Sequence, residues 1–153
     1  FKSKNSLKTI KKIEIACEKV GFFQITGHGI SKNNIENTCF VGKKFFTLPK
    51  KNKIKLSPNK WNVKNKNKYR GYFPNDVNGK EGLDIGDLKV SRKYALKIKN
   101  KYIEHLDLKK NLDKKSIKIL SNYFDKIFSL GECLFKGIVK LHRKDTKITK
   151  EAF

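Results

Sequence analysis

From Asp113 onward, Ile117, Leu120, Phe124, Ile127, Phe128, Leu134, Phe135, Ile138 and Leu141 recur at the three- and four-residue steps that line one face of an α-helix. A stripe this broad and this apolar has to be buried against something large. The elements ahead of it are short and offer limited cover, so the pattern predicts a sheet that lies beyond Phe153. Asp113 is placed to accept from the free amides of the first helical turn, and Thr149 is placed to cap a further short helix.

The same periodicity opens the chain. Leu7, Ile10, Ile13, Ala16, Cys17 and Val20 predict an amphipathic helix from Ser6, and Gly21 supplies its stop. Phe22 to Thr26 is aromatic and β-branched and reads as a short strand, followed by a turn at Gly27-His28-Gly29. Ser31 caps a second predicted helix whose Ile35, Cys39, Phe45 and Phe46 face inward, and Leu48-Pro49 ends it. A short helical turn over Lys50 to Leu56 follows. From Ser57 to Lys68 the polar, asparagine-rich sequence predicts a surface loop anchored by Trp61. Tyr69 to Phe73 reads as a strand end closed by Pro74, and Leu83 to Gly86 as a second extended piece. Residues 87 to 111 carry little pattern and read as a long irregular connection.

Charge is the other prominent feature. A net charge of +23 would ordinarily point to nucleic acid or an acidic surface. Of the 37 basic residues, however, only Arg70, Arg92 and Arg143 are arginine, and the lysines run through nearly every segment instead of marking one face. Richness in Lys, Asn, Ile and Phe is what AT-rich codons give, so a solvated lysine surface is the simpler reading and nucleic acid is not the expected partner. Self-repulsion at this charge predicts that salt stabilises the fold. Cys17, Cys39 and Cys133 are odd in number and far apart, which indicates neither a disulfide framework nor a zinc site and points to a reducing compartment, the cytoplasm by default. No apolar run reaches the roughly 18 residues that a membrane span needs, so no membrane partner is expected. The chain has no methionine and starts at Phe1, and it is read as a fragment.

The stretch Ala16-Cys17-Glu18-Lys19-Val20-Gly21-Phe22-Phe23-Gln24-Ile25-Thr26-Gly27-His28-Gly29-Ile30 resembles the N-terminal region of the isopenicillin N synthase-like non-haem dioxygenases. Phe45-Phe46-Thr47-Leu48-Pro49, Arg70-Gly71-Tyr72-Phe73-Pro74 and Lys80-Glu81-Gly82-Leu83-Asp84-Ile85-Gly86 are similar to later blocks of that region and follow in the same order. Gly27 departs from the Asn more usual there, a change that a turn accommodates. The resemblance implies that Gly21, Phe22, Phe23, His28, Gly29 and Pro49 mark the scaffold. It implies that the complete protein uses Fe(II) and 2-oxoglutarate on a small organic substrate. It also implies that the His-x-Asp pair, the distal His and the Arg-x-Ser that bind iron and cosubstrate lie in a jelly roll after the long helix.

This chain spells His105-Leu106-Asp107 and carries His142, but His105 precedes the long helix and His142 sits on it, so no metal site and no catalytic residue is assigned here. His28 is expected to fix the strand-to-helix turn by bonding backbone. Arg70, Tyr72 and Phe73 are the candidate substrate contacts, because the resemblance brings this stretch to the barrel mouth and an arginine fork suits a carboxylate. The alternative is that Arg70 pairs with Glu81 or Asp84, both otherwise assigned to loop structure, while the aromatics fill core.

The expected fold is α+β: a helix-rich N-terminal domain whose few short strands would join a double-stranded β-helix absent from this chain. Residues 1–153 are expected to form one partial domain, with a helix-strand-helix block over 1–56, a loop-rich segment with short strands over 57–111 and the long helix over 112–143. The expected function is that of an N-terminal fragment of a 2-oxoglutarate-dependent Fe(II) dioxygenase, a scaffold that is inactive alone. A basic module for nucleic acid or acidic surfaces, with Trp61, Tyr69, Tyr72 and Phe73 free to stack on bases, is the competing class. An oxygenase relative kept only for interaction is a third.

Overall fold

The computed structural model of the chain describes residues 4–75, 79–98 and 103–142. In chain order the elements are α1 (Lys4–Lys19), α2 (Lys32–Phe46), α3 (Lys50–Lys53) with a 3-10 turn over Ile54–Leu56, β1 (Gly71–Phe73), β2 (Gly82–Asp84), α4 (Arg92–Lys97) and α5 (Lys114–His142). Helices with one small antiparallel sheet make an α+β chain, as the sequence pattern predicts. It divides into two compact units. One comprises the chain up to Gly29 and from Lys126 onward, the other Ile30–Asp125.

The second unit holds a continuous core. Val41 and Phe45 of α2, Leu56, Tyr72 of β1, Leu106, Leu108 and Leu112 of the connection, and Leu120 of α5 bury one another, with Phe46, Leu83 and Ile117 packed at the edge. The helix starts follow from capping. Ser31 Oγ accepts from Asn34 N at 3.3 Å, and Asp113 Oδ1 accepts from Ser116 N at 2.9 Å. Pro49, which cannot continue α2, occupies the N-cap position of α3, and its carbonyl receives Asn52 N at 2.8 Å. In the sheet, β1 and β2 pair antiparallel with Gly71 opposite Asp84, Tyr72 opposite Leu83 and Phe73 opposite Gly82.

In the first unit Ile10 of α1 is 1% exposed, and Gly21 ends the helix at φ +86°, a conformation that favours glycine. Gly27 and Gly29 flank His28 at φ +66° and +76°, the turn that the sequence predicts.

Several expectations need correction. Phe22 to Thr26 is not a strand: among the described residues no segment pairs with it, and a strand exists only as part of a ladder. Cys17 of α1, Val20 just after it and Cys39 of α2 are exposed, so these inward stripes are narrower than their periodicity implies. The connection after Asp87 is not wholly irregular. Ser91 Oγ accepts from Tyr94 N at 3.1 Å and starts α4, a helix too short to show a period. Thr149 lies outside the described residues.

Candidate functional site

The candidate contacts Arg70, Tyr72 and Phe73 sit on one strand and at its entry, and three separate constraints fix them. The first is Gly71. Its φ is +130°, and a Cβ built there would stand 2.0 Å from the Leu56 carbonyl oxygen. Only a glycine lets the strand pass over that carbonyl, which locks β1 against the turn after α3.

The second constraint is a charged cluster beneath the strand. Tyr72 is 2% exposed, meets Phe45 edge-on with ring centroids 6.2 Å apart, and donates its hydroxyl to Glu81 Oε2 at 2.6 Å. Lys53 Nζ donates to the same Oε2 at 2.8 Å and to the Phe46 carbonyl at 2.8 Å, and it lies over the Tyr72 and Phe46 rings. A lysine buried to 6% exposure is costly unless its charge is met, and here a carboxylate, a carbonyl and two ring faces meet it. The Lys53 ammonium first, then the Tyr72 hydroxyl, hold the Glu81 carboxyl below its usual range. Glu81 is therefore spent on Lys53 and not on Arg70.

The third constraint is Glu104. Its Oε1 accepts from Lys68 N at 2.7 Å, and its Oε2 from Tyr69 N at 2.9 Å and Arg70 N at 2.8 Å. Three successive backbone amides converge on one carboxylate, which replaces ladder pairing and explains why β1 begins at Gly71 and not at Tyr69. Asn67 Nδ2 reaches the carbonyls of His105 at 2.9 Å and Arg70 at 3.4 Å. Arg70 is thus held on both sides of its backbone, and its side chain lies along Gly86, where a Cβ would meet Nε at 2.8 Å. Among the described residues no carboxylate pairs with the Arg70 guanidinium. Phe73 is half-buried and stacks edge-on with Trp61 at 5.5 Å, the anchoring role expected of that tryptophan. Asp84 serves the ladder as the register partner of Gly71.

His105 is not in a solvated stretch. Its Nδ1 stands 2.7 Å from the Val90 carbonyl, so this nitrogen carries the proton and ties the connection to the end of the β2 loop. Asp107 Oδ1 accepts from Lys109 N at 3.0 Å and shapes a turn. The side chain of His142 lies outside the described residues. Among the described residues no three His, Cys, Asp or Glu side chains stand together as a metal site. No step through iron is assigned to the described residues. No helix among them is long and apolar enough to cross a membrane.

Sequence reasoning missed Lys53 and Glu104. Lys53 gives no signal in a lysine-rich turn. Glu104 gives a faint one, since a chain with 37 basic residues holds only 14 acidic ones.

Residues 1–119 match the family model described as "non-haem dioxygenase in morphine synthesis N-terminal". The chain belongs to that family. Its curated relatives include the 2-oxoglutarate-dependent dioxygenase tropC of Talaromyces stipitatus, 42% identical over 47% of this chain and 21% of the relative. A 2-oxoglutarate-Fe(II) type oxidoreductase of Aspergillus fumigatus is 31% identical over 80% of this chain and 38% of its own length. A homoarginine-6-hydroxylase of Oryza sativa is 37% identical over 43% of this chain and 19% of the relative. The chain thus spans well under half the length of these relatives, and its family is one of oxidoreductases. No solved structure matches it. The competing basic-module class gains no support from these names.

Proposed function

We propose that this chain is the N-terminal part of a 2-oxoglutarate- and Fe(II)-dependent oxygenase acting on a small organic substrate, and that its own role is to scaffold the barrel and form part of its mouth. Residues 1–153 then act as one partial domain whose two-stranded ribbon extends a jelly roll supplied by other parts of the protein. A two-stranded ribbon is marginal by itself, and its outer edges suit further pairing. When bound in the complete enzyme, iron would let dioxygen oxidise 2-oxoglutarate to succinate and CO2 together with the substrate. The residues described here bind and orient.

The observation that carries the mouth role is Arg70. Its backbone is clamped by Glu104 and Asn67, its side chain is laid along Gly86, and its fork has no acid to hold among the described residues. Such a group is prepared for a substrate carboxylate, with Phe73 as the apolar wall beside it and Tyr72 anchoring the strand from the core. The scaffold blocks Gly21 to Phe23, His28-Gly29 and Pro49 take no part in chemistry.

The test is turnover by the complete protein. With Fe(II), ascorbate and 2-oxoglutarate, it should form succinate in response to small carboxylate-bearing substrates, whereas residues 1–153 alone should form none. Arg70→Gln should raise KM for the responding substrate by about 10- to 100-fold, the loss of one bidentate ion pair, with a smaller change in kcat. An unchanged KM removes Arg70 from the mouth. Succinate formation by residues 1–153 alone defeats the scaffold assignment.

A further inference from the structure

One cleft in the Ile30–Asp125 unit has no part in that proposal. It is an open cleft of about 720 Å³ between the loop after α3 on one side and residues of α4 and of 103–111 on the other. Its two walls are fastened to each other. Asn67 Nδ2 donates to the His105 carbonyl at 2.9 Å, Asn111 Nδ2 to the Asn52 carbonyl at 3.2 Å, and Glu104 holds the Lys68, Tyr69 and Arg70 amides. The loop wall is braced within itself as well, by Asn62 Nδ2 on the Lys55 carbonyl and Asn65 Nδ2 on the Ser57 carbonyl, each at 2.9 Å. A cleft tied in this way keeps its shape before any ligand arrives.

Its charge is uncompensated. Lys55, Lys64, Lys66, Arg92 and Lys110 line it, and none of the five forms an ion pair with a carboxylate among the described residues. The two carboxylates on the lining, Glu104 and Asp107, are both turned onto backbone amides. Lysine is common over this whole chain, so abundance alone singles out nothing. Concavity does: five exposed cations that face one recess add their potentials there, whereas the same charges on a convex face point apart. Arg92 adds a planar fork, and the other cations are point charges on flexible stems.

We propose that this cleft binds a small multivalent anion, a molecule carrying two or more phosphate or carboxylate groups. The site is separate from the substrate role of Arg70 and does not depend on the oxygenase reading. Asn62, Asn65, Asn67 and Asn111 each give at least one amide N–H to the walls, and recognition rests on charge number. A multivalent anion is held, and monovalent ions are not.

Isothermal titration of the full chain with pyrophosphate, and separately with citrate, tests this at constant ionic strength set by chloride. Saturable binding of either anion at one site per chain is expected, pyrophosphate alone indicating a phosphate ligand and citrate alone a carboxylate ligand. Lys66 and Arg92 are both exposed, so K66Q/R92Q leaves the core intact and should weaken binding at least tenfold. The pair K55Q/K110Q, on the same cleft, should do likewise. The pair K12Q/K19Q removes equal charge from α1 and should change affinity less than twofold. Equal weakening by all three pairs would reduce the effect to the overall charge and overturn the proposal, as would the absence of saturable binding by both anions.

Discussion

Two stretches that carry the family's residues are held in opposite ways. From Phe22 to Thr26 the backbone forms no helix and pairs with no strand among the described residues, and Phe22 leaves 72% of its surface exposed. Among the described residues from Lys68 to Asp84 the internal ties are many: the amides of 68 to 70 on Glu104, β1 on β2, Tyr72 and Lys53 on Glu81, and Phe73 on Trp61. The second stretch is closed by its own unit. The first has the composition of a strand without a ladder among the described residues. A motif can therefore be strongly marked in sequence and still contribute little to the stability of the piece that contains it.

The contrast predicts unequal mutational costs. The largest belongs to Tyr72→Ala, which empties a core position beside Phe45 and takes the hydroxyl and ring face away from Glu81 and the buried Lys53. A loss of about 3–5 kcal/mol is expected, the usual range for deleting a buried aromatic, read as a lower urea midpoint at unchanged slope. A cost below about 1 kcal/mol would mean that the core does not close around β1. Glu104→Ala comes next. Releasing three amides from one carboxylate should cost about 2 kcal/mol, since bonds to a charged acceptor are the stronger kind but this site is half-exposed. Hydrogen exchange should then quicken at Lys68, Tyr69 and Arg70 and not in α2. Uniform quickening would make Glu104 a general stabiliser and not a local clamp.

Acid should act on the same stretch with a smaller effect. Glu81 is held below its ordinary value of 4.5 in the folded chain, so its contribution is fully present above that pH and is lost as pH falls through the lower folded value. The Glu81→Gln variant should lack this part of the acid-induced loss between pH 4.5 and the folded value. Parallel stability curves for the two proteins would show that Lys53 does not depend on the Glu81 charge.

How much of this was legible depends on the range over which each signal acts. Helix caps are local, and Ser31, Asp113 and Pro49 declare them within a few residues. The ribbon was legible as two extended pieces, Tyr69 to Phe73 and Leu83 to Gly86, which overlap the observed Gly71–Phe73 and Gly82–Asp84. Its register was not, because the fastening comes from Lys53, Glu81 and Glu104, distant in sequence and ordinary in type. The presumed pairing of Arg70 with Glu81 or Asp84 failed for the same reason: Lys53 approaches Glu81 from α3, and no local pattern announces it. Periodicity overstated the inward stripes at Cys17 and Cys39, since a face that recurs correctly is buried only where something packs on it.

The smallest effect is the most informative. Phe22→Ala in the 153-residue chain should change stability by no more than about 0.5 kcal/mol, because an exposed ring has little contact to lose. Placed in the complete protein, the same substitution should cost about 1.5–3 kcal/mol if the proposed barrel covers that ring, the value of burying one large apolar side chain. A matched pair of denaturation curves separates the two cases. Equal, small costs in both would leave Phe22 in solvent throughout and would remove the barrel as the explanation for an aromatic, β-branched stretch that makes no sheet of its own.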